Sequence, residues 1–236
     1  SFEINYDVSM PKTNTLDLKN RFGDVYLGDL SGDVDVNVQY GNLKAGSLTG
    51  DCDVKLSFGS GFSEIDAIKK GDLKVSYSKL GVEEMGDIDV HSSFSTFEAE
   101  KVGSMDLIAK YGEVEIEEID VLEADVNFSG FELGTINKSL VLDIDYGGSL
   151  EIGVSKSVKL LDITSSFGPV NINLESGINA SIEARMSFCS LRYDEDKIAF
   201  SKIIKDNTSS QYEGKIGTGS GTIIKIISKY GNVRLD

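Results

Sequence analysis

The sequence predicts an all-β fold, a right-handed single-stranded β-helix (β-solenoid) of about ten to eleven coils with 17–21 residue repeats. Three observations support this prediction. An aromatic residue followed by a small one recurs along the chain; apolar residues alternate with period two before each aromatic; and the apolar rows are rich in β-branched residues. The aromatic anchors are Phe22, Tyr40, Phe58, Tyr77, Phe94, Tyr111, Phe128, Tyr146, Phe167, Phe188 and Tyr230. Right-handedness follows from the strong preference of parallel crossovers for that hand.

The N-terminal segment, residues 1–15, is predicted to contain a strand that caps or leads into the stack. Residues 2–10 read FEINYDVSM and alternate apolar with polar side chains until Pro11. Solenoids need terminal segments that cover unpaired backbone edges. We therefore expect this segment to lie against the first coil.

Each repeat is predicted to be a strand, a tight bend at the small residue, a second strand and a turn. Around Phe58, for example, Cys52 and Val54 lie six and four residues before the anchor. After Tyr40, Leu43 and Leu48 lie three and eight residues further on. Even spacing before the anchor predicts that the anchor ring also points inward, so we expect a buried aromatic stack and no outward ladder for sugar binding.

The C-terminal part departs from the repeat, and one anchor is missing between Phe188 and Tyr230, which are 42 residues apart. Residues 205–221 are polar and rich in Gly and Ser, which predicts a loop or hairpin insertion. The pattern then resumes in a final coil, so residues 1–236 are predicted to form a single domain. Cys52 and Cys189 would lie seven coils apart, roughly 34 Å at strand spacing. A disulfide needs Cα atoms within about 7 Å, so two unpaired and mostly buried thiols are expected.

The charge and composition narrow the classes of partner. A net charge of −16 argues against nucleic acid and anionic membrane surfaces. No apolar run approaches the length of a membrane-spanning helix. The single histidine, His91, and two cysteines without metal-ligand spacing do not provide a metal centre or a nucleophilic triad, so neither a cofactor nor a catalytic residue is predicted.

Acidic residues form two outward rows. One row lies five residues before the anchors and contains Asp17, Asp35, Asp53, Asp72, Asp89, Asp106 and Glu123. Two residues further along each strand, lysines offset some of these charges in the early coils, whereas Ile108, Asp125 and Asp143 do not. We interpret the row as a solvated face, and the alternative is a surface for a divalent cation or basic ligand formed by Asp89, Asp106, Glu123, Asp125 and Asp143. The second row contains Glu98, Glu115 and Glu132. Paired carboxylates can catalyse glycoside hydrolysis. Nearly every coil offers acidic residues, however, so the pattern does not select a catalytic pair.

The assembled repeat resembles the bacterial adhesin-like family of single-stranded β-helix domains. The resemblance rests on FGDVYLGDLSGDVDV, QYGNLKAGSLTGD, KYGEVEIEEI and the closing YEGKIGTGSGTIIKIISKYGNVRLD, and it covers nearly the whole chain. It implies an extracytoplasmic protein that is periplasmic, anchored to the outer membrane or on the cell surface. It implies no catalytic residues, because fold likeness alone does not specify an activity.

Three functions are compatible with these observations. The first is a non-enzymatic binding or scaffold protein whose partner is a surface protein or glycan. The second is a polysaccharide-binding or polysaccharide-degrading protein of the pectate-lyase type, although arginine is scarce, with only Arg21, Arg185, Arg192 and Arg234. The third is a scaffold that polymerises end to end, which requires bare coil ends.

Overall fold

The computed structural model describes residues 4–236, and this part of the chain is all β, with eighteen strands and no helix. The strands are β1 (Leu16–Asn20), β2 (Val25–Leu27), β3 (Val34–Gln39), β4 (Leu43–Ser57), β5 (Phe62–Ser76), β6 (Lys79–Ser93), β7 (Thr96–Lys110), β8 (Glu113–Asn127), β9 (Gly130–Asp145), β10 (Leu150–Val154), β11 (Leu160–Ser166), β12 (Val170–Leu174), β13 (Ala180–Ser187), β14 (Leu191–Tyr193), β15 (Ile198–Lys205), β16 (Ser209–Ile216), β17 (Thr222–Lys229) and β18 (Val233–Leu235).

Successive coils stack in parallel, which confirms the predicted β-solenoid. The anchors from Phe22 to Phe188 delimit about nine turns, slightly fewer than the ten or eleven coils expected, and the C-terminal segment adds one further layer. Strands β4 to β9 hold 15 or 16 residues each, because each strand spans two sides of the coil. It begins shortly after one anchor and ends just before the next. The pairing register of β4 with β5 shifts between Leu48 and Asp51, where the strand passes from one side to the other.

The predicted inner rows form the hydrophobic core. Cys52 and Val54, before the third anchor, are buried, as are Leu43 and Leu48 after the second. Equivalent positions of neighbouring coils are paired in register, so each row becomes a continuous column of apolar side chains. One contiguous core therefore extends from Val25 to Leu235.

The prediction that the anchor rings point inward is wrong. Ten of the anchors have positive φ values, and Tyr111 at 55° is typical. Alternation of side chains between two faces holds only along extended backbone, and a left-handed residue turns the chain so that its own side chain points outward. The bend therefore lies at the aromatic residue, one position earlier than expected. The following residue is small because it lies against the backbone of the previous coil: a Cβ at Gly112 would lie 2.2 Å from the carbonyl oxygen of Ser95.

The final coil does not follow the tenth anchor in space. Strand β17 lies between β11 and β13 and pairs in parallel with both, and β18 lies likewise between β12 and β14. The last fifteen residues of the chain therefore intercalate between two coils that are consecutive in sequence. The buried Thr222 hydroxyl donates to the Val158 carbonyl at 2.7 Å, and the Ser165 and Ser228 hydroxyls form a 3.0 Å hydrogen bond inside the stack.

The two ends of the stack differ. At the C-terminal end, β15 and β16 form an antiparallel hairpin, and β16 pairs antiparallel with β13. Residues 205–221, expected to be a polar loop or hairpin, therefore contain the turn of this hairpin and the strand β16. At the N-terminal end, residues 4–15 form no strand, contrary to the expected strand over 2–10, whose first two residues lie outside the described range. The chain turns at Pro11–Asn14, where the Lys12 carbonyl accepts hydrogen bonds from the amides of Ser31 and Gly32, and residues 4–9 before this turn are exposed.

Both cysteines are unpaired, as expected. Cys52 is buried in the core, where burial, with smaller contributions from Asp51 and Asp33, raises the pKa of its thiol to about 11. Cys189 is half-buried and its thiol lies 3.3 Å from the Ser228 carbonyl.

Candidate functional site

The outward anchors form an unbroken stack of eleven rings, the aromatic ladder, along one corner of the solenoid. Neighbouring ring centroids lie 4.4–5.4 Å apart and the ring planes are within 17° of parallel. In space the rings follow the order Phe22, Tyr40, Phe58, Tyr77, Phe94, Tyr111, Phe128, Tyr146, Phe167, Tyr230, Phe188.

The ladder alternates Phe and Tyr from end to end. In sequence this alternation fails once, because Phe167 and Phe188 are consecutive anchors. In space Tyr230 lies between them, 4.9 Å from one ring and 5.0 Å from the other. The interrupted alternation and the 42-residue gap therefore have the same cause, which is the intercalation of the C-terminal coil.

The ladder offers ring edges to solvent and few ring faces. Within the ladder each ring is covered on both faces by its neighbours and remains about half exposed, for example 51% at Tyr111. Only the terminal rings, Phe22 and Phe188, have one face without a ring neighbour in the ladder. Ring edges carry the positive part of the aromatic quadrupole, so the ladder favours partners with carbonyl or hydroxyl oxygens along an apolar surface.

The exposed part of the ladder is large. A Phe or Tyr side chain presents about 200 Å², and eleven rings exposed by about half therefore form a strip of about 1,100 Å². The largest apolar patch of a typical monomer is about 300–600 Å². One partner in a standard protein–protein interface contributes about 800 Å². The strip is thus of interface size.

Backbone strain at the corners offsets part of the stability that the ladder provides. An L-residue in the left-handed region costs about 1–2 kcal/mol, and ten anchors adopt it. Each of the ten ring pairs contributes about 0.5–1.5 kcal/mol beyond burial, so strain and stacking nearly cancel. Asn and Gly accept such angles at lower cost. Burial of about half of each ring adds to the stacking, so the rings stabilise the corners overall, and backbone strain of this kind is concentrated at functional sites.

A shallow groove of about 490 Å³, the ladder groove, runs beside the middle rings. Tyr77, Phe94 and Tyr111 form one wall, and the side chains that begin the next strands form the other. Lys79 and Glu113 lie at opposite ends of this second wall, with Thr96 between them. The groove therefore combines an apolar wall with hydroxyl groups and one charge of each sign.

The predicted acidic row is confirmed by the register. Asp17, Asp35, Asp53, Asp72, Asp89, Asp106 and Glu123 are paired in succession across the stack. The neighbouring row runs through Lys19, Asn37, Lys55, Lys74, His91, Ile108, Asp125 and Asp143 in the same way. Lysine compensation in the early coils is direct at Asp53, whose carboxylate accepts a 2.9 Å bond from Lys55.

The candidate cation surface lies in the coils where lysines no longer offset the acidic row. Asp89, Asp106, Glu123, Asp125 and Asp143 share one shallow groove of about 600 Å³, and the half-exposed side chains of Ile108 and Val141 lie among them. Partial burial, and then Asp145 and Asp125, raise the pKa of Asp143. The Asn127 amide donates to Asp125. Within residues 4–236, no group of three or more His, Cys, Asp or Glu side chains is arranged to hold a metal ion.

The glutamate row is also in register, with Glu98, Glu115 and Glu132 on successive strands. Partial burial, and then Glu132 and Glu98, raise the pKa of Glu115. The carboxylates repeat at strand spacing along a face, so no single pair is set apart from the others.

The four arginines lie in the first and last coils of the stack. Arg21 lies beside the first ring of the ladder, and its guanidinium carbon is 5.7 Å from the centroid of Phe22. Arg192 and Arg234 are paired in the last coils, and Arg185 lies on the adjacent side of the same end. The middle coils, which carry the uncompensated acids, contain no arginine.

Scans against protein-family models, curated proteins and solved structures found no match to this chain. The class of protein is therefore defined by its architecture: it is an acidic β-solenoid repeat protein with an external aromatic ladder. Among the described residues no helix is long and apolar enough to cross a membrane.

Proposed function

We propose that this protein is an extracytoplasmic, adhesin-like binding or scaffold protein without catalytic activity, and that the aromatic ladder and its groove are its binding surface. The proposal rests on one observation. Eleven aromatic rings form an exposed strip of interface size, and ten of them lie at corners where the backbone is strained. A partner protein or glycan outside the cytoplasm is the class of ligand that such a strip suits.

The distribution of polar groups supports a binding role. Carboxylates recur at every coil instead of converging on one point, and the lone His91 lies in an exposed row between Lys74 and Ile108. General acid–base catalysis needs a base within hydrogen-bond reach of a defined reacting atom. Evenly spaced rows favour contact with an extended partner.

The alternative is binding or degradation of a polysaccharide. Stacking of sugar rings would require aromatic faces, which the ladder covers except at its two ends. A glycan ligand would instead bind through the tyrosine hydroxyls and the groove hydroxyls of residues such as Thr96. We therefore favour a protein partner, which can supply backbone carbonyls to the ring edges.

A glycan and protein binding screen with matched variants tests the proposal. Tyr77→Asn together with Tyr111→Asn removes two rings and replaces them with a residue that tolerates the left-handed backbone. Tyr26→Asn is the control, because Tyr26 is an exposed tyrosine outside the ladder.

We expect ligands found in the screen to bind the wild type and the control, and to bind the double variant at least tenfold more weakly. Equal binding by the ladder variant would contradict the proposed surface. Release of reducing ends from any polysaccharide in the screen would favour the enzymatic alternative. Circular dichroism establishes that each variant is folded.

A further inference from the structure

The N-terminal end of the solenoid is open along two sides of its first coil. Strand β1 pairs with β3 and strand β2 pairs with β4, and in the described part of the chain neither has a partner at its other edge. The turn at Pro11–Asn14 covers the third side only, through Ser31 and Gly32. An unpaired strand edge is a template for another strand.

The core is also incompletely covered at this end. Leu16 and Leu18 of β1, Leu27 of β2 and Met10 are only partly buried, although they pack against the core. Val34 and Val36 hold the corresponding positions one coil later and are fully covered. Addition of one more strand to β1 would therefore bury apolar surface as well as satisfy backbone groups.

The C-terminal end has a different character. The antiparallel hairpin covers the β13 side of this end, and its outer strand β15 has a register irregularity after Phe200 and carries Lys202 and Lys205. On the neighbouring side the three-residue strand β14 pairs, among the described strands, only with β18. Bulges and lysines are devices that block edge pairing. One end of the molecule is thus protected and the other is not.

We propose that the open end binds a second copy of this chain, with β1 paired antiparallel to β1 of the partner about a twofold axis at Leu18. This end meets the aromatic ladder only at its first ring, Phe22, and the pairing of β1 does not depend on the ladder being a binding site.

The backbone groups of β1 favour this register. The Leu16 amide donates to the Asp33 carbonyl, so Leu16, Leu18 and Asn20 direct their backbone groups to β3, and Asp17 and Lys19 direct theirs to the open edge. With Leu18 opposite its own copy, Asp17 of each chain lies opposite Lys19 of the other. Each such pair can exchange both backbone hydrogen bonds, and the two Leu18 residues form the closer, non-hydrogen-bonded pair.

The side chains match the same register. Asp17 and Lys19 are exposed and lie 3.6 Å apart within one strand. Across the twofold axis each would face an opposite charge directly, an arrangement that contributes about 0.2–1 kcal/mol per pair. The two Leu18 side chains would meet on the inner face and join the two cores. A slip by one residue would place Asp17 opposite Leu18 and lose both the charge pairs and the apolar contact.

The symmetry of this contact limits the assembly to a dimer. A twofold contact uses the same surface on both copies and closes, whereas a head-to-tail contact would continue into a filament. At the C-terminal end the edges left unpaired within residues 4–236 are those of β15, which carries the register irregularity and the lysines, and of β14, which is only three residues long, so neither offers a long regular edge to a further copy. End-to-end polymerisation, one of the functions compatible with the sequence, is therefore disfavoured.

Oligomeric mass measured by size-exclusion chromatography with light scattering tests the proposal on the full chain. The wild type should show a dimer that dissociates on dilution. Asp17→Lys alone, or Lys19→Asp alone, should raise the dissociation constant by on the order of tenfold, since symmetry doubles the effect of each substitution. The swap D17K with K19D restores opposite charges across the axis and should restore the dimer. Ile203→Lys on β15 is the control and should leave the oligomeric mass unchanged, because Ile203 is exposed at the opposite end of the stack from β1.

A cysteine variant tests the register directly. In the proposed pairing the two Leu18 Cα atoms lie about 4.5 Å apart, within the range of a disulfide. Leu18→Cys should form a disulfide-linked dimer under mild oxidation, and Asp17→Cys should form far less. A wild type that stays monomeric at its highest soluble concentration would overturn the proposal. A dimer that survives single charge reversal, or that links through Asp17→Cys as readily, would overturn the register.

Discussion

Replacement of the central ladder residue, Tyr111, measures the balance between backbone strain and ring stacking. Its ring stacks on Phe94 at 5.0 Å and on Phe128 at 5.4 Å, and its φ is 55°. Alanine at this position removes both ring contacts and keeps the left-handed backbone. Glycine removes the same contacts and releases the strain.

The magnitudes follow from the exposure of the ring. About half of the side chain, about 100 Å², is buried, which contributes about 2.5 kcal/mol. Two ring contacts add about 1 kcal/mol each. Tyr111→Ala should therefore lower the free energy of unfolding by about 4–5 kcal/mol. Tyr111→Gly should lower it by about 1 kcal/mol less, because glycine carries no left-handed penalty.

Urea denaturation monitored by circular dichroism measures these differences. The control is the same pair of substitutions at Glu115, an exposed residue within strand β8. There glycine should be less stable than alanine by about 0.5–1 kcal/mol. A glycine variant at Tyr111 that is no more stable than the alanine variant would refute the argument that the ladder stores strain.

Three further predictions concern the acidic face, the thiols and the C-terminal coil. Burial and neighbouring carboxylates raise the pKa of Asp143, so its charge costs stability at neutral pH and the cost vanishes as pH falls below about 3.9. Asp143→Asn should raise the melting temperature at neutral pH by an amount equivalent to less than about 1 kcal/mol, and this gain should disappear in acid. An equal gain at both pH values would mean that side-chain packing, and not the charge, causes the change in stability. A thiol reagent at neutral pH should modify Cys189 in the native protein and reach Cys52 only after unfolding, since the Cys52 thiol is buried with a pKa of about 11; two equally fast thiols would contradict this. A chain that ends at Gly221 lacks β17 and β18, so β13 loses its parallel partner, and the hairpin that pairs with β13 loses its connection to the rest of the stack. Limited proteolysis should then remove the part after Glu175, while the full chain resists; equal resistance would show that β13 can pair with β11 directly.

The sequence predicted the repeat, the inner rows and the in-register acidic row with little ambiguity. These features depend on period-two alternation, which holds wherever backbone is extended and carries from coil to coil without knowledge of the corners. Asp89 and Asp106, separated by one repeat, are paired because each coil has the same length there. The register of the candidate cation surface was predictable for the same reason.

The conformation of residues 4–10 was not predictable from their alternation alone. Ile4 and Val8 have the pattern of an inner row, yet both are exposed and residues 4–10 form no strand. Whether an alternating segment becomes a strand depends on the position of a partner edge, which local pattern does not specify.

What the sequence by itself determined is the periodic part of this protein: parallel coils, apolar columns inside and rows of charge outside. The tertiary structure decided two features that carry its functional interest. The sign of φ at Tyr111 and its counterparts turned the rings outward, because a left-handed corner reverses the alternation that the strands obey. The position of Tyr230 between Phe167 and Phe188 depended on a contact between segments distant along the chain, so only the folded molecule shows that the alternating ladder is complete.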